Sequence, residues 1–204
     1  MVHWLHYPIA SDPRYRMSTI SSRQAIDDTC HWLEAAVIGL NLCPFAKAVH
    51  VKKQIRMRHS AATDTDMLLA DFIEELEYLS HTPAEEIDTT LLIHPDVLRS
   101  FTDYNDFLDI ADATLDALAL AGTFQIASFH PAYQFADTES DDITNYTNRS
   151  PHPILHILRE SSLDKAIAGF PDSERIYIDN MRRMHALGPD GWNAWLDKPG
   201  ANQS

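Results

Sequence analysis

Two short apolar runs that both end in His-Pro, LLIHP at 91–95 and ASFHP at 127–131, most limit what this chain can fold into, because they stand 36 positions apart. That interval is the length of one strand, one crossover helix and their connections. Each run is too short for a helix, and the proline behind each histidine stops it. Thr89 to Ile93 reads as a near-continuous buried strand and Thr123 to Phe129 as another. Between them Tyr104, Phe107, Leu108, Ala111, Leu115 and Leu118 recur at helical spacing over residues 103–120, with Gly122 as the stop.

The flanking sequence extends this alternation. Ile26, Cys30, Leu33, Val37 and Leu40 form the stripe of a helix over 22–40, capped by Ser21 or Ser22 and closed by Gly39, Asn41 and Pro44. Val49 to Arg58 alternates with period two and reads as a strand buried on one face, its basic side chains on the wet face. Thr63 or Asp64 caps a helix to about Ser80, and Pro153 sits at the first turn of a helix over ILHILRE. A short helix over 163–168 and a longer one from Asp172 or Ser173 through Leu187, with Gly188 behind it, complete the order. These elements predict an α/β fold: a small three-stranded, at least partly parallel sheet packed by about five or six helices. A ferredoxin-like α+β arrangement, with the first strand antiparallel, is the alternative. Residues 17–198 are expected to form a single globular domain, with 1–16 a disordered extension and 199–204 a frayed tail. Trp192 and Trp195 need cover, which the domain's own surface or a partner interface can supply.

Charge excludes two classes of partner. Lys and Arg number 16 and Asp and Glu 30, a net charge of −14 that repels nucleic-acid backbones and anionic membranes. No apolar run is long enough to span a bilayer. Cys30 and Cys43 lie too far apart along the first helix and its connector to bridge, so both are expected free, in a reducing, cytoplasmic compartment. Nothing in the sequence fixes an oligomeric state.

The densest chemistry lies between Thr123 and Glu160. If the two His-Pro strands are parallel neighbours, His94 and His130 project from the carboxyl edge of the sheet, where open α/β folds bind ligands, with His59 a weaker echo. One reading is an enzyme acting on a small anionic molecule. Cys43 would be the nucleophile, its pKa lowered by Lys47 and a histidine, with His130 as general acid or base held by Tyr133 or Gln134 and His94 beside it. Asn145, Asn148, Arg149 and Ser150 would hold a carboxylate or phosphate at a helix start, under an acidic lid from Asp137 to Asp142. A second reading is a divalent-metal site, because His152, His156 and Glu160, spaced by four, would share one helical face. A third is a non-enzymatic binding or scaffold module, with the Asn-rich loop held by its own hydrogen bonds.

Four segments carry a resemblance: WLEAAVIGLNLCPFAKAV (32–49), DTTLLIHP (88–95), DYNDFLDIAD (103–112) and the run from ASFHP to ILHILRE (127–160). Together they resemble an uncharacterised bacterial family, the domain of unknown function 1415 family. The resemblance implies a bacterial cytoplasmic setting and brings no residue roles with it.

Overall fold

A computed structural model describes residues 20–169 and 173–197. Its elements run α1 (Ser22–Trp32), a π-helical segment (Leu33–Ile38), α2 (Ala46–Val51), β1 (Ile55–His59), α3 (Thr65–His81) and β2 (Thr89–Ile93). They continue with α4 (Phe101–Ala117), β3 (Phe124–Phe129), a 3-10 helix (Ile143–Asn148), β4 (Ile154–Arg159), α5 (Glu160–Ala168) and α6 (Ser173–Leu196). The expected extension 1–16 and tail 199–204 lie outside the described residues.

The α/β class is as expected, but the sheet has four strands, in the order β1-β2-β4-β3. β1 pairs parallel with β2, while β4 runs antiparallel to both of its neighbours, β2 and β3. β2 and β3 therefore point the same way without touching. Their His-Pro ends share one edge, as the sequence suggested, but β4 stands between them. The ferredoxin-like alternative fails because the first strand is parallel to the second.

Two cores enclose the sheet. On one face Leu92, Leu155, Ile157 and Phe124 meet Leu68, Phe72 and Leu76 of α3 and Tyr104, Phe107 and Ala111 of α4. On the other, Leu91, Ile93 and Ile154 meet Trp32, Leu33, Ala36 and Val37 of α1 and the π segment, with Met184 and Trp192 of α6 behind. Each such Leu or Phe contributes roughly 1.5–3 kcal/mol when fully buried. β2 is buried along its whole length, which is why its sequence is apolar without alternation.

Two assignments need correction. Residues 49–58 are not one strand: α2 occupies the first part, Lys53 turns the chain at φ +59°, and β1 begins only at Ile55. The arginines of β1 do not simply face water, since Arg56 and Arg58 both reach the buried carboxylate of Glu75 on α3. Residues 154–159 are a strand, not a helix. Pro153 precedes a strand, so the helix start expected beside Arg149 does not exist.

The π segment and α6 explain each other. A Cβ on Gly39 would come within 2.2 Å of the Ala35 carbonyl, so the close backbone approach there requires glycine. Trp195 Nε1 donates to that same carbonyl at 2.7 Å. Gly188, at φ +63°, ends the first part of α6 as expected, but the chain resumes as a helix from Pro189 and brings Trp192 against Tyr146. Trp192 is thus buried by the protein's own surface, and Trp195 is partly covered by it.

A cavity over the sheet, and the candidate functional site

Alternation along the strands puts Thr89, Leu91, His156, Leu158, Ala127 and Ile55 on one face, where they floor a cavity of about 450 Å³. Register aligns Leu91, His156 and Ala127 in one cross-strand row. The small Ala127 leaves open the space beside the imidazole. Trp32, Leu33 and Val37 form one wall, Cys43, Pro44 and Phe45 of the connector a second, and Ser162, Leu163 and Ala166 of α5 a third. The lining is mostly carbon, and the volume suits a small organic molecule. π-helical turns are rare and concentrate at functional sites, and this one supplies Leu33 and Val37 to the wall. Asn180 and Arg183 of α6 hold the connector in place through the carbonyls of Leu42 and Asn41.

His156 is enclosed by protein yet keeps part of its ring surface bare to the cavity. Burial alone pushes its pKa down to about 4, so the ring is neutral at neutral pH. Its Nε2 lies 2.7 Å from the Thr89 hydroxyl, which in turn donates to the Ile157 carbonyl at 2.6 Å.

The residues expected to converge do not. Cys43 lines the cavity just described. His130 is buried at the end of β3, its Nε2 donating to the Leu98 carbonyl and its Nδ1 accepting from the Ala132 amide, so neither nitrogen is open to a substrate. His94 is buried beside Tyr104, its Nδ1 donating to the Val97 carbonyl and its Nε2 buried with no partner among the described residues. Burial pushes its pKa down to about 4. Arg149 lines a second cavity, of about 440 Å³, together with Asp28, Ser150 and Trp192. Trp32 is the wall common to both cavities.

The substrate-holding set proves to be the loop's own scaffold. Arg149 donates from Nε to Tyr133 and from Nη2 to Ser140, both carbonyls, with its plane over the Tyr146 ring. Asn145 accepts from the Phe135 amide and the Thr138 hydroxyl and donates to the Glu139 carbonyl. Asn148 donates to Ser128, Gln134 to Thr138 and Ser150 to His152, all backbone oxygens. Tyr133 packs on Phe101 and Phe135, and Lys47 is exposed on α2. Replacing Arg149 with Ala is expected to cost roughly 1–2 kcal/mol and to raise amide exchange across 133–146, measured by hydrogen exchange. Unchanged exchange there would show that the guanidinium does not hold the loop.

The metal set is undone by the strand. His152 pairs with Asp28 at 3.0 Å before β4, His156 faces the cavity from within β4, and Glu160 opens α5. Among the described residues no three His, Cys, Asp or Glu side chains lie together as a metal ion would need. Both cysteines are free, and Cys30 is half-buried beside Glu34 rather than deep in the core. Among the described residues no helix is long and apolar enough to cross a membrane.

Residues 24–194 match a family described as Protein of unknown function (DUF1415). The chain belongs to that family. No curated protein and no solved structure matches it. In this DUF1415 protein the matched span contains every residue that lines the cavity over the sheet. Sequence reasoning missed most of that lining, because Ala127, Leu158 and Leu163 carry no chemical signature. The row Leu91, His156, Ala127 becomes legible only once β4 is a strand.

Proposed function

We propose that this DUF1415 protein binds a small, mainly apolar organic molecule in the cavity between the sheet and the layer formed by α1, α2 and α5. The observation that carries the reading is the cavity itself: about 450 Å³, walled by carbon, with one neutral imidazole in its floor. The geometry favours an apolar ligand over the anionic one expected from sequence, because Arg149 is committed to loop carbonyls and lines a different cavity. Free cysteines suit a reducing compartment, and the cytoplasm is the proposed location.

The neutral fluorophore N-phenyl-1-naphthylamine tests the reading, since its emission rises when it leaves water. Saturable binding is expected at micromolar concentration. Ala127→Phe, which puts a ring beside His156, should weaken binding at least roughly tenfold while circular dichroism stays native. Equal binding by wild type and this variant would place the probe elsewhere and remove the proposal.

Cys43 lines the same cavity as His156, and this favours a second reading, a thiol enzyme acting on an apolar electrophile. In it the Cys43 sulfur adds to one carbon of a polarised double bond in the ligand, the π bond breaks, and the thiol proton passes by way of His156 to the other end of that bond. Selective, ligand-blocked alkylation of Cys43 near neutral pH supports it. Slow alkylation indifferent to the naphthylamine would dismiss it.

A further inference from the structure

The hydrogen bonds beneath the cavity determine which head group it can hold, an inference that rests on the cavity being a ligand site. Thr89 has one hydroxyl hydrogen and two close neighbours, the Ile157 carbonyl at 2.6 Å and His156 Nε2 at 2.7 Å. A carbonyl oxygen can only accept, so the hydrogen goes to Ile157 and His156 donates its Nε2–H to Thr89. The lone pair of the ring is therefore on Nδ1. Among the described residues no donor meets that nitrogen, and unlike His94 Nε2 it is not sealed, so its free surface faces the cavity that the ring lines.

The neighbouring polar groups offer the same chemistry. Asp88 lines the cavity next to Thr89, and its carboxylate accepts from Ser162 Oγ at 2.5 Å, which commits that hydroxyl's hydrogen. Arg159 turns its guanidinium to the carbonyls of Leu79, Thr82 and Ile87. Trp32 Nε1 has no partner among the described residues, but it is buried and not exposed to the cavity. What remains for a ligand at this end is lone pairs.

We infer that the ligand's polar end is a neutral hydroxyl that donates to His156 Nδ1, carried on an aliphatic or aromatic body that fills the carbon-lined space: an alcohol or a phenol. A carboxylate would bring lone pairs to lone pairs and a negative charge to Asp88. An ammonium would find acceptors, but it would have to leave water for an enclosure whose desolvation already holds His156 neutral.

The test is displacement of bound N-phenyl-1-naphthylamine by four molecules of similar size: 1-octanol, its isomer methyl heptyl ether, octanoate and octylammonium. Octanol is expected to displace the probe at a roughly five- to tenfold lower concentration than the ether, with both ions weaker. His156→Leu should bring octanol and ether together while the probe still binds. Alcohol and ether acting alike on the wild type, or either ion acting best, would overturn the inference and leave the cavity reading standing. Failure of the probe to bind at all would remove both. Long-range proton–nitrogen NMR gives an independent readout: the His156 proton is expected on Nε2, and a proton on Nδ1 would overturn the head-group inference whatever the probe does.

Discussion

Lowering the pH from about 7 to 4.5 is expected to destabilise the fold by several kcal/mol, with a midpoint of thermal unfolding that falls steadily across that window. His94 and His156 are held near pKa 4 by burial, below their ordinary value of 6.5. In the unfolded chain both take up a proton as the pH drops through about 6.5, whereas in the fold neither does until about 4. The unfolded state thus binds more protons between these limits, so stability is full above the upper one and is lost as the pH falls through the window. At about 1.4 kcal/mol per pH unit, the shift at His94 corresponds to about 3 kcal/mol, and His156 adds a smaller amount if water enters the cavity. Burial depresses His130 and His59 in the same direction. Against a total stability of about 5–15 kcal/mol this is a large loss. Between about pH 5 and 6.5 a slope is expected from these depressed histidines. A flat stability profile there would mean that His94 and His156 are not buried as neutral rings.

Tyr104→Phe is expected to cost roughly 2–4 kcal/mol, the largest effect of any single-atom deletion at the carboxyl edge. The phenol oxygen donates to the Ile154 carbonyl at 2.7 Å and accepts from the Phe129 amide at 3.1 Å. Those two residues pair across β3 and β4, so one hydroxyl closes the end of the ladder. Tyr104 is fully buried among His94, His130 and Phe101, so losing the oxygen leaves a carbonyl and an amide unpaired in the interior. Burial pushes the phenol's own pKa up, so it remains a donor throughout the stable range. The loss also reaches the cavity, because Phe129 lines it and packs edge-on against Trp32 at 5.2 Å. Urea unfolding measures the cost, and a change below about 0.5 kcal/mol would show that neither bond is needed.

These two residues illustrate what could and could not be read along the chain. Tyr104 was legible as a core position of α4, since its spacing to Phe107, Ala111 and Leu115 is helical. Its hydrogen bonds to two strands were not, because they depend on a sheet order that places β4 beside β3. Caps were legible where the side chain does the capping: Ser21 accepts from the Gln24 amide and Asp64 from that of Met67, as the sequence indicates. Asn41, expected to stop the first helix, does take a positive φ, but the turn at Lys53 was not legible, since lysine does not announce a left-handed backbone as glycine or asparagine does. The run ILHILR failed for a different reason. A strand covered on both faces has no period-two signal, and a short apolar run after a proline suits a helix start equally well.

The candidate site failed in geometry more than in residue choice. Cys43 and His156 were both singled out, one for its connector and one for its spacing to His152. Read as a strand residue, His156 turns its ring to the same cavity as Cys43 rather than to a metal. His94 and His130 stand at the shared edge of the sheet, but both are buried there, packed on Tyr104 and, for His130, on Phe101 as well. Arg149 looked free because loop carbonyls that would hold it are invisible in sequence.

Methyl proton–carbon NMR during titration with N-phenyl-1-naphthylamine tests the central claim most directly. The methyl groups of Leu33, Val37, Leu91, Leu158 and Leu163, which line the cavity, are expected to shift together and saturate at one concentration. Those of Leu68, Leu76 and Leu155, in the core on the opposite face of the sheet, should stay in place. Shifts confined to that second group, or none in the first while the probe is bound, would contradict a ligand site over His156.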